Sequence, residues 1–427
     1  MDKTVIAIVI FLAAYALIIS EKFHRTIIAM IGGIIAVLAG VISQEAAIHH
    51  IDFNTLGLLV GMMVIVSITA QTGLFTYLAI WAAKRVEADP GKLLIMLCLI
   101  TAIASALLDN VTTVLLVVPV TIGITRQLAV DPIPYLISEI LASNIGGTAT
   151  LIGDPPNIMI GSAVKELTFM AFVNNLAAIS ALILAITLAI LYFLYRRQLT
   201  ASTELKAAVM ALDEKKEIKD PALLKKCLLA LALTLAGFFL HQLLHLESAT
   251  VALAGAFFLL FITIKEHHEL DQAFGRVEWN TIFFFIGLFV LVGGLIETGV
   301  IASLAEAAIG YTGGDVRATS LLILWISALA SAFVDNIPFV ATMIPMIKDM
   351  GRLGIQNLEP LWWSLALGAC LGGNGTIIGA SANIIVVGLA AHEGHQISFM
   401  RFMLVAFPLM LLSIVIATVY VYLRYLI

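Results

Sequence analysis

The sequence predicts an all-α polytopic membrane protein built from two inverted-topology repeats, each with a re-entrant hairpin and a broken transmembrane helix, with about 10 spans and 2 hairpins in total. Three observations predict it: the composition, a series of long uncharged windows, and an ungapped match of the chain to itself. Of the 427 residues, 61% are hydrophobic and only 12% charged, and the mean hydropathy is +1.06. A soluble domain carries about a quarter charged residues, so this composition excludes soluble enzymes, disordered scaffolds and nucleic-acid binders. The formal net charge of −5 is too small and too mixed to imply a charged macromolecular partner, and no basic footprint for nucleic acid exists. Cys98, Cys227 and Cys370 are far apart in apolar surroundings. They suggest core packing and give neither a disulfide framework nor a Cys-x-x-Cys metal or redox site.

A crossing helix needs about 20 apolar residues, somewhat fewer when its ends snorkel. The first set of windows covers 4–20, 26–43, 53–83, 93–108, 111–125, 140–153 and 167–195, and the second covers 227–246, 248–264, 279–296, 318–334, 336–347, 361–391 and 402–423. The opening window has the length of a signal peptide. It is followed by Glu21, Lys22 and Arg25 with no small-residue cleavage site, so it is expected to be a retained helix. Residues 196–226 form the one substantial hydrophilic stretch, with eight Lys or Arg against five Asp or Glu. The positive-inside rule makes it a cytoplasmic linker, and Asp220-Pro221 reads as a cap with proline opening the next helix. The organisation is thus a first repeat over 1–197, a linker over 198–226 and a second repeat over 227–427. Lys22, Arg25, Lys84, Arg85 and Lys92 also go inside, which leaves residues 44–51 and both termini outside.

Displacing the chain by 226 residues superimposes polar and helix-breaking residues in one register. Asn54-Thr55 meets Asn280-Thr281, Thr72-Gly73 meets Thr298-Gly299, and Asp109-Asn110 meets Asp335-Asn336. Pro119 meets Pro345, Gly146-Gly147 meets Gly372-Gly373, Thr150 meets Thr376, Gly153 meets Gly379, and Asn157 meets Asn383. Chance similarity of apolar segments would align Leu, Ile and Ala instead. The helix at Asn54 should start outside and that at Asn280 inside, after Lys265, His267 and Arg276, so the copies are inverted. Inverted repeats characterise secondary transporters, whose binding site lies near the midplane between the copies.

Two repeated elements place breakers and polar groups at bilayer depth. The apolar stretches 93–125 and 318–347 are interrupted by Asp109-Asn110 and Asp335-Asn336, with arms of about 12 to 17 residues, short for a crossing, so each reads as a hairpin with Asp-Asn at its tip. Thr112, Thr113, Pro338 and Thr342 flank the tips. The second element is the glycine- and proline-rich run 143–157, matched by 372–383; such a run must unwind its helix in mid-membrane. Unwinding frees carbonyls for a cation and leaves a half-helix N-terminus to face an anion. A lone Gly-Gly or Thr in a membrane helix is commonly a packing contact or a bond to its own helix; the repetition of the whole cluster favours a site. A carboxylate in hydrocarbon costs several kcal/mol unless paired, hydrated or protonated, which singles out Asp109, Asp154 and Asp335. Asp154 meets Ala380 and is the asymmetric member. Glu139 and Glu297 lie nearer span ends.

His241 with His245, and His392 with His395, share helix faces at span ends, but no matching carboxylate or thiolate completes a metal set, so interfacial packing is expected. No P-loop, nucleophile elbow, His-Glu-x-x-His or kinase motif occurs. The expected protein is therefore no enzyme, has no cofactor, and draws energy from an H⁺ or Na⁺ gradient or from a separate ATPase subunit.

The runs Leu108-Asp109-Asn110-Val111-Thr112-Thr113 and 144–158, with Gly153-Asp154-Pro155-Pro156-Asn157 at the heart of the second, resemble the ion transporter superfamily. Within it the chain is similar to the arsenical pump membrane protein and P-protein branch, with its citrate-transporter-like domain, grouped with the sodium/proton antiporter D type. The resemblance spans nearly the whole chain. It implies a scaffold like that of dicarboxylate carriers, a homodimer working by an elevator mechanism in the plasma (inner) membrane. It carries substrate and ion binding onto Asp109, Asn110, Thr112, Asn144, Thr148, Thr150, Asp154 and Asn157 in the first half. In the second half it carries them onto Asp335, Asn336, Asn374, Thr376, Ser381 and Asn383, with Na⁺ at Asp109, Asn110, Asn144, Asp335, Asn336 and Asn374. The tips read Asp-Asn rather than the Ser-Asn-Thr of dicarboxylate carriers, which argues against a dicarboxylate. Pro155-Pro156-Asn157 stands where the antiporter D type carries a Thr-rich run.

Three functions compete at this point. The first expectation is ion-gradient-coupled efflux of a small inorganic solute of the arsenite or antimonite type, handled by hydroxyl, amide and dipole groups and not by thiolates. The second is sodium/proton exchange at Asp109, Asp154 and Asp335. The third, a conductive channel or sensor, would not require inverted repeats, and sodium-coupled transport of an organic anion such as a dicarboxylate stands behind the first two.

Overall fold

The computed structural model describes residues 2–20, 22–241, 244–265 and 267–427, so Glu21 and two residues of the span expected over 227–246 lie outside the described residues. The described chain is helical. Helices α1 Lys3–Ile19, α2 Arg25–Leu38 and α3 Gln44–His50 lead to α4 Phe53–Gln71 and α5 Leu74–Arg85. The first hairpin is α6 Pro90–Leu107 and α7 Asn110–Gln127. The first broken helix is α8 Ile133–Thr148 and α9 Pro155–Ala163. Then follow α10 Phe169–Phe172, α11 Ala178–Tyr195 and the linker helix α12 Thr203–Met210. The second half runs α13 Pro221–Leu240, α14 Ser248–Thr263, α15 His267–Gly275, α16 Trp279–Glu297 and α17 Val300–Thr312. Its hairpin is α18 Val316–Phe333 and α19 Asn336–Arg352, its broken helix α20 Glu359–Gly372 and α21 Ser381–His392, and α22 Phe399–Val421 completes it. Seven of the described helical stretches are long and apolar enough to cross a membrane. Five shorter apolar helices, among them α1, α2 and α21, join them.

The 226-residue register sets where helices start: Phe53 and Trp279, Leu74 and Val300, Pro90 and Val316, Asn110 and Asn336, Pro155 and Ser381 are all first residues of their helices. The reversal of orientation is visible directly, because His50, just ahead of α4, meets Glu297, the last residue of α16, at 3.0 Å. The copies interlock. α4 packs on α14 and α16 on α2, while α7 lies against α21 and α19 against α9.

Three sequence expectations are revised. The window 53–83 is two helices, because Thr72-Gly73 breaks it with Gly73 at φ 81°; Gly299 repeats the break at φ 76° and opens α17, which the window ending at 296 had missed. A left-handed φ is open to glycine and costly for other residues, and at Gly73 a Cβ would also meet the Glu217 carbonyl oxygen at 1.9 Å. The hairpin arms have 17 or 18 residues, longer than their windows: Asp89 and Asp315 cap α6 and α18 ahead of the apolar stretch, and α7 and α19 run on past it to Gln127 and Arg352. The apolar window from Cys227 gives way to the start that Asp220-Pro221 predicts: α13 begins at Pro221, and Asp220 accepts the Ala222 and Leu223 amides at 2.9 Å.

The linker docks on α5 and beside the start of α6, where Lys206 lies 3.9 Å from Asp89. Lys84 reaches Glu214 at 2.6 Å and the Leu212 carbonyl at 3.1 Å, and this ammonium holds the Glu214 carboxyl below the usual range. Thr4 bonds the Thr298 carbonyl at the end of α16, and Arg424 bonds Asn175 ahead of α11. Both ends of the described chain therefore lie on the face opposite the linker.

Candidate functional site

The hairpin tips and the breaks meet at the centre, and the same bonds tie each tip to its own break. Ser105 donates to the Ser143 carbonyl and Ser331 to the Ala369 carbonyl, both at 2.7 Å. Thr150 donates to the Ala106 carbonyl at 2.6 Å and Thr376 to the Ala332 carbonyl at 2.5 Å. Side chains cannot intervene where Gly146 meets Ala102 and Gly372 meets Ala328, since an added Cβ would sit 2.2 Å and 2.5 Å from the facing carbonyl oxygens. Asn157 donates to the Thr148 and Thr150 carbonyls at 3.2 and 2.9 Å, and Asn383 to the Gly373 and Thr376 carbonyls at 2.8 and 2.9 Å. Unwound backbone must find partners in a membrane, and these two amides supply them. Thr148 bonds back to the Asn144 carbonyl. Of the sequence-predicted residues, Thr148, Thr150, Thr376 and Asn157 thus spend their bonds holding the breaks.

Five of the others line a cavity of about 10 Å³, space for one water-sized sphere, while Thr112, Asn144, Asp335, Asn374 and Asn383 stand outside its lining. Its lining includes Asp109, Asn110, Asp154, Asn336 and Ser381. Asn110 donates to Asn144 at 3.1 Å, and Asn144 donates to Asn374 and Asn383, each at 3.0 Å, so a buried amide chain crosses from one repeat to the other. Asp109 caps α7, accepting the Thr112 amide at 2.8 Å and its hydroxyl at 2.5 Å. Asn336 donates to Asp154 Oδ1 at 3.4 Å. Two buried oxygens here, Asn110 Oδ1 and Asp154 Oδ2, have no hydrogen-bond partner among the described residues. Unpaired buried acceptors cost on the order of 1–3 kcal/mol each; both fit an incoming cation, and the Asp154 oxygen also fits a proton.

Asp335 is held differently. Arg25 meets its Oδ2 at 2.6 Å and Ser381 donates to the same oxygen at 2.8 Å, while Oδ1 accepts the Ile337 amide. Arg25 also bonds Ser381 and lies 5.0 Å from the centre of the Phe284 ring. Arg25, Glu278 and Thr281 line the cavity although the motifs omit them. For Glu278 and Thr281 the register held a signal: Asp52 and Thr55 are their counterparts, and both Thr hydroxyls donate to the carboxylate three residues earlier, at 2.6 and 3.1 Å. For Arg25 no motif existed.

Two further expectations change. The break before α9 is no anion cradle: Pro155 and Pro156 lack N–H groups, the next two amides bond the Asp154 carbonyl, and the Asp154 carboxylate faces the space. Cys370 is also more than core filling. It is buried, but its thiol lies 3.5 Å from Asn157 Oδ1, the bond that Asn144, its counterpart in the first repeat, makes to Asn383.

Two larger cavities approach from opposite faces. One of about 330 Å³, lined by Ile18, Phe23 and His24, reaches Arg25, Asp335 and Ser381 from the linker face. The other, about 370 Å³ and lined by His50, Asp52 and Lys348, reaches Met159 and Ala341. Pro155 and Ile337 line the central cavity, each one helical turn, about 6 Å, from those residues.

Inverted repeats with paired hairpins, interlocked breaks and a polar cavity between two vestibules define a secondary transporter. The chain belongs to the citrate transporter family, whose sequence model matches residues 15–368. It is 44% identical over 428 residues to an uncharacterized transporter of Mycobacterium tuberculosis, covering 99% of both chains. It is 36% identical over 500 residues to the P protein of Homo sapiens, covering 98% of this chain and 59% of that one. In fold it is similar to the Alcanivorax borkumensis YdaH transporter, with a TM-score of 0.58 at 15% identity over 100% of this chain and 99% of that one.

Proposed function

We propose that the protein is a cation-coupled secondary transporter whose central cavity binds Na⁺ or H⁺, with cation/proton exchange as the reading best supported by the site. The observation that carries it is the charge of the lining. Asp109, Asp154 and Glu278 line the cavity with Arg25 as the one basic residue, and Asp335 adjoins it through Ser381 and Arg25. Such a set repels an anion such as citrate and attracts a small cation. The cavity volume fits one bare ion or water, and the unpaired oxygens of Asn110 and Asp154 supply ligands for it.

The mechanism follows from the groups in place. In hydrocarbon a carboxylate is stable when it holds a proton or a cation, so Asp154 exchanges one for the other. The amide chain from Asn110 through Asn144 to Asn374 and Asn383 carries no charge; it keeps the two tips in register while the occupant changes. Movement of the hairpins and breaks against α2, α4, α14 and α16 then presents the cavity to either vestibule, an elevator motion that a homodimer would anchor in the plasma membrane. Efflux of uncharged arsenite is the second reading, favoured by the neutral amide cluster beside the carboxylates.

The test uses proteoliposomes loaded with an acidic interior. Rapid proton loss on adding Na⁺ or Li⁺, absent in Asp154→Asn, is the expected result. No response to either cation, with accumulation of arsenite, would replace this reading with the second.

A further inference from the structure

We propose that Arg25 is a tethered cation that occupies the Asp335 half of the site and competes there with the transported ion. The inference rests on the cation-coupled reading and adds a residue to it. Three observations support competition over a simple structural tie.

The first is that the repeat makes Asp335 a second Asp109 with fewer donors from its own helix, the Ile337 amide at Oδ1 alone. In the first half Thr112 donates both its amide and its hydroxyl to Asp109. The corresponding position in the second half is Pro338, which has neither donor. Asp335 Oδ2 is therefore left to outside partners, and Arg25 and Ser381 take it. The counterpart of Arg25 is Val251, so Asp109 has no equivalent, and no basic side chain pairs with it among the described residues.

The second is where the two ends of the pair are mounted. Asp335 belongs to the hairpin tip and Ser381 to the break, whereas Arg25 is the first residue of α2, which packs on α16. The contact joins two packing units instead of stapling one. A bond across such a boundary has to be made and broken if the hairpin moves.

The third is that Arg25 has somewhere to go. Its side chain is 27% exposed, and it lines both the central cavity and the linker-face vestibule. The Phe284 ring, 5.0 Å from the guanidinium while it is paired, is a contact the side chain can keep as it swings toward the vestibule.

In the cation-free carrier open to the linker-face vestibule, Arg25 neutralises Asp335 and ties the hairpin tip to α2. When a cation enters through the vestibule it takes the Asp335 oxygen and displaces the guanidinium.

The experiment measures Na⁺-driven proton flux against Na⁺ concentration in proteoliposomes for the wild type, Arg25→Gln and Arg25→Lys. With the competitor removed, the half-saturating Na⁺ concentration should fall about tenfold in Arg25→Gln, the scale of one partly exposed ion pair, and maximal flux should drop because the more tightly held cation leaves more slowly. Arg25→Lys should recover maximal flux. Millimolar guanidinium ion added to Arg25→Gln should raise its half-saturating concentration again and leave the wild type unchanged. A fall in maximal flux with an unchanged half-saturating concentration would make Arg25 a structural tie and overturn the proposal. Should Arg25→Gln not insert, Arg25→Lys carries the same test, with a smaller fall expected and an unchanged value again overturning it. Wild-type flux that ignores both Na⁺ and pH would instead remove the cation-coupled reading itself.

Discussion

The two breaks are built on one plan and equipped differently. At the first, Asp154 stands ahead of two prolines, and its Oδ2 has no hydrogen-bond partner among the described residues; at the second, Ala380 precedes Ser381, which serves Asp335. What is equal between the halves is the backbone support: the Ser and Thr bonds to the tips, the glycine contacts and the Asn157 and Asn383 ties. What differs is the charge. Symmetry thus sets the geometry of the site, and the departures from symmetry set what it can hold.

That comparison can be broken most severely by moving the odd carboxylate. Asp154→Asn should lower cation-driven flux by about a hundredfold, since an intramembrane carboxylate is there for its charge. Adding Ala380→Asp should restore less than a tenth of it, because the new group meets Ser381 rather than prolines. Full recovery in proteoliposomes would show the halves to be interchangeable. The glycine contacts sharpen the other side of the comparison. Gly146→Ala and Gly372→Ala should each destabilise by about 2 kcal/mol through overpacking against the hairpin, read as matched drops in thermal midpoint in detergent. Unequal drops would mean that one break bears more of the packing.

Next in size is the crossing pair. Asn144→Ala leaves Asn374 and Asn383 without a donor and should cost about 1.5 kcal/mol. Cys370→Ala should cost less than about 1 kcal/mol because a thiol is a weak donor, and replacing all three cysteines should keep flux within about twofold. Loss of transport in that variant would give thiols a role in binding. Equal to each other should be Thr150→Val and Thr376→Val, at about 1 kcal/mol each for one hydrogen bond, again by thermal midpoint.

The sequence made the repeat legible because Asp, Asn, Pro and Gly are costly in hydrocarbon and recur only where the backbone needs them. Asp109, Asn110, Asp154, Asp335 and Asn383 were found in this way. The short helices after Gly73 and Gly299 were hidden, since a hydropathy window runs smoothly across a single glycine. Arg25 was hidden for another reason: it looks like any loop cation, and 310 residues of chain separate it from Asp335. Glu278 was readable only through Asp52, its counterpart, which matches it in charge and not in identity. The lack of donors at Pro155-Pro156 was written in the sequence, yet the general rule for half-helices pointed the other way.

The unbroken 226-residue offset also limits what may happen to the length of the chain. From Phe53 and Trp279 to Pro155 and Ser381 the paired helices start in step, so neither copy has gained or lost a residue relative to the other between its first long helix and its break. One residue inserted into an α-helix turns everything beyond it by about 100° and advances it by about 1.5 Å. In α7 or α19 that rotation would swing the arm's buried face away from the half-helix it packs against. Loops such as the linker carry no such constraint, and differences in length between related chains are expected to collect there.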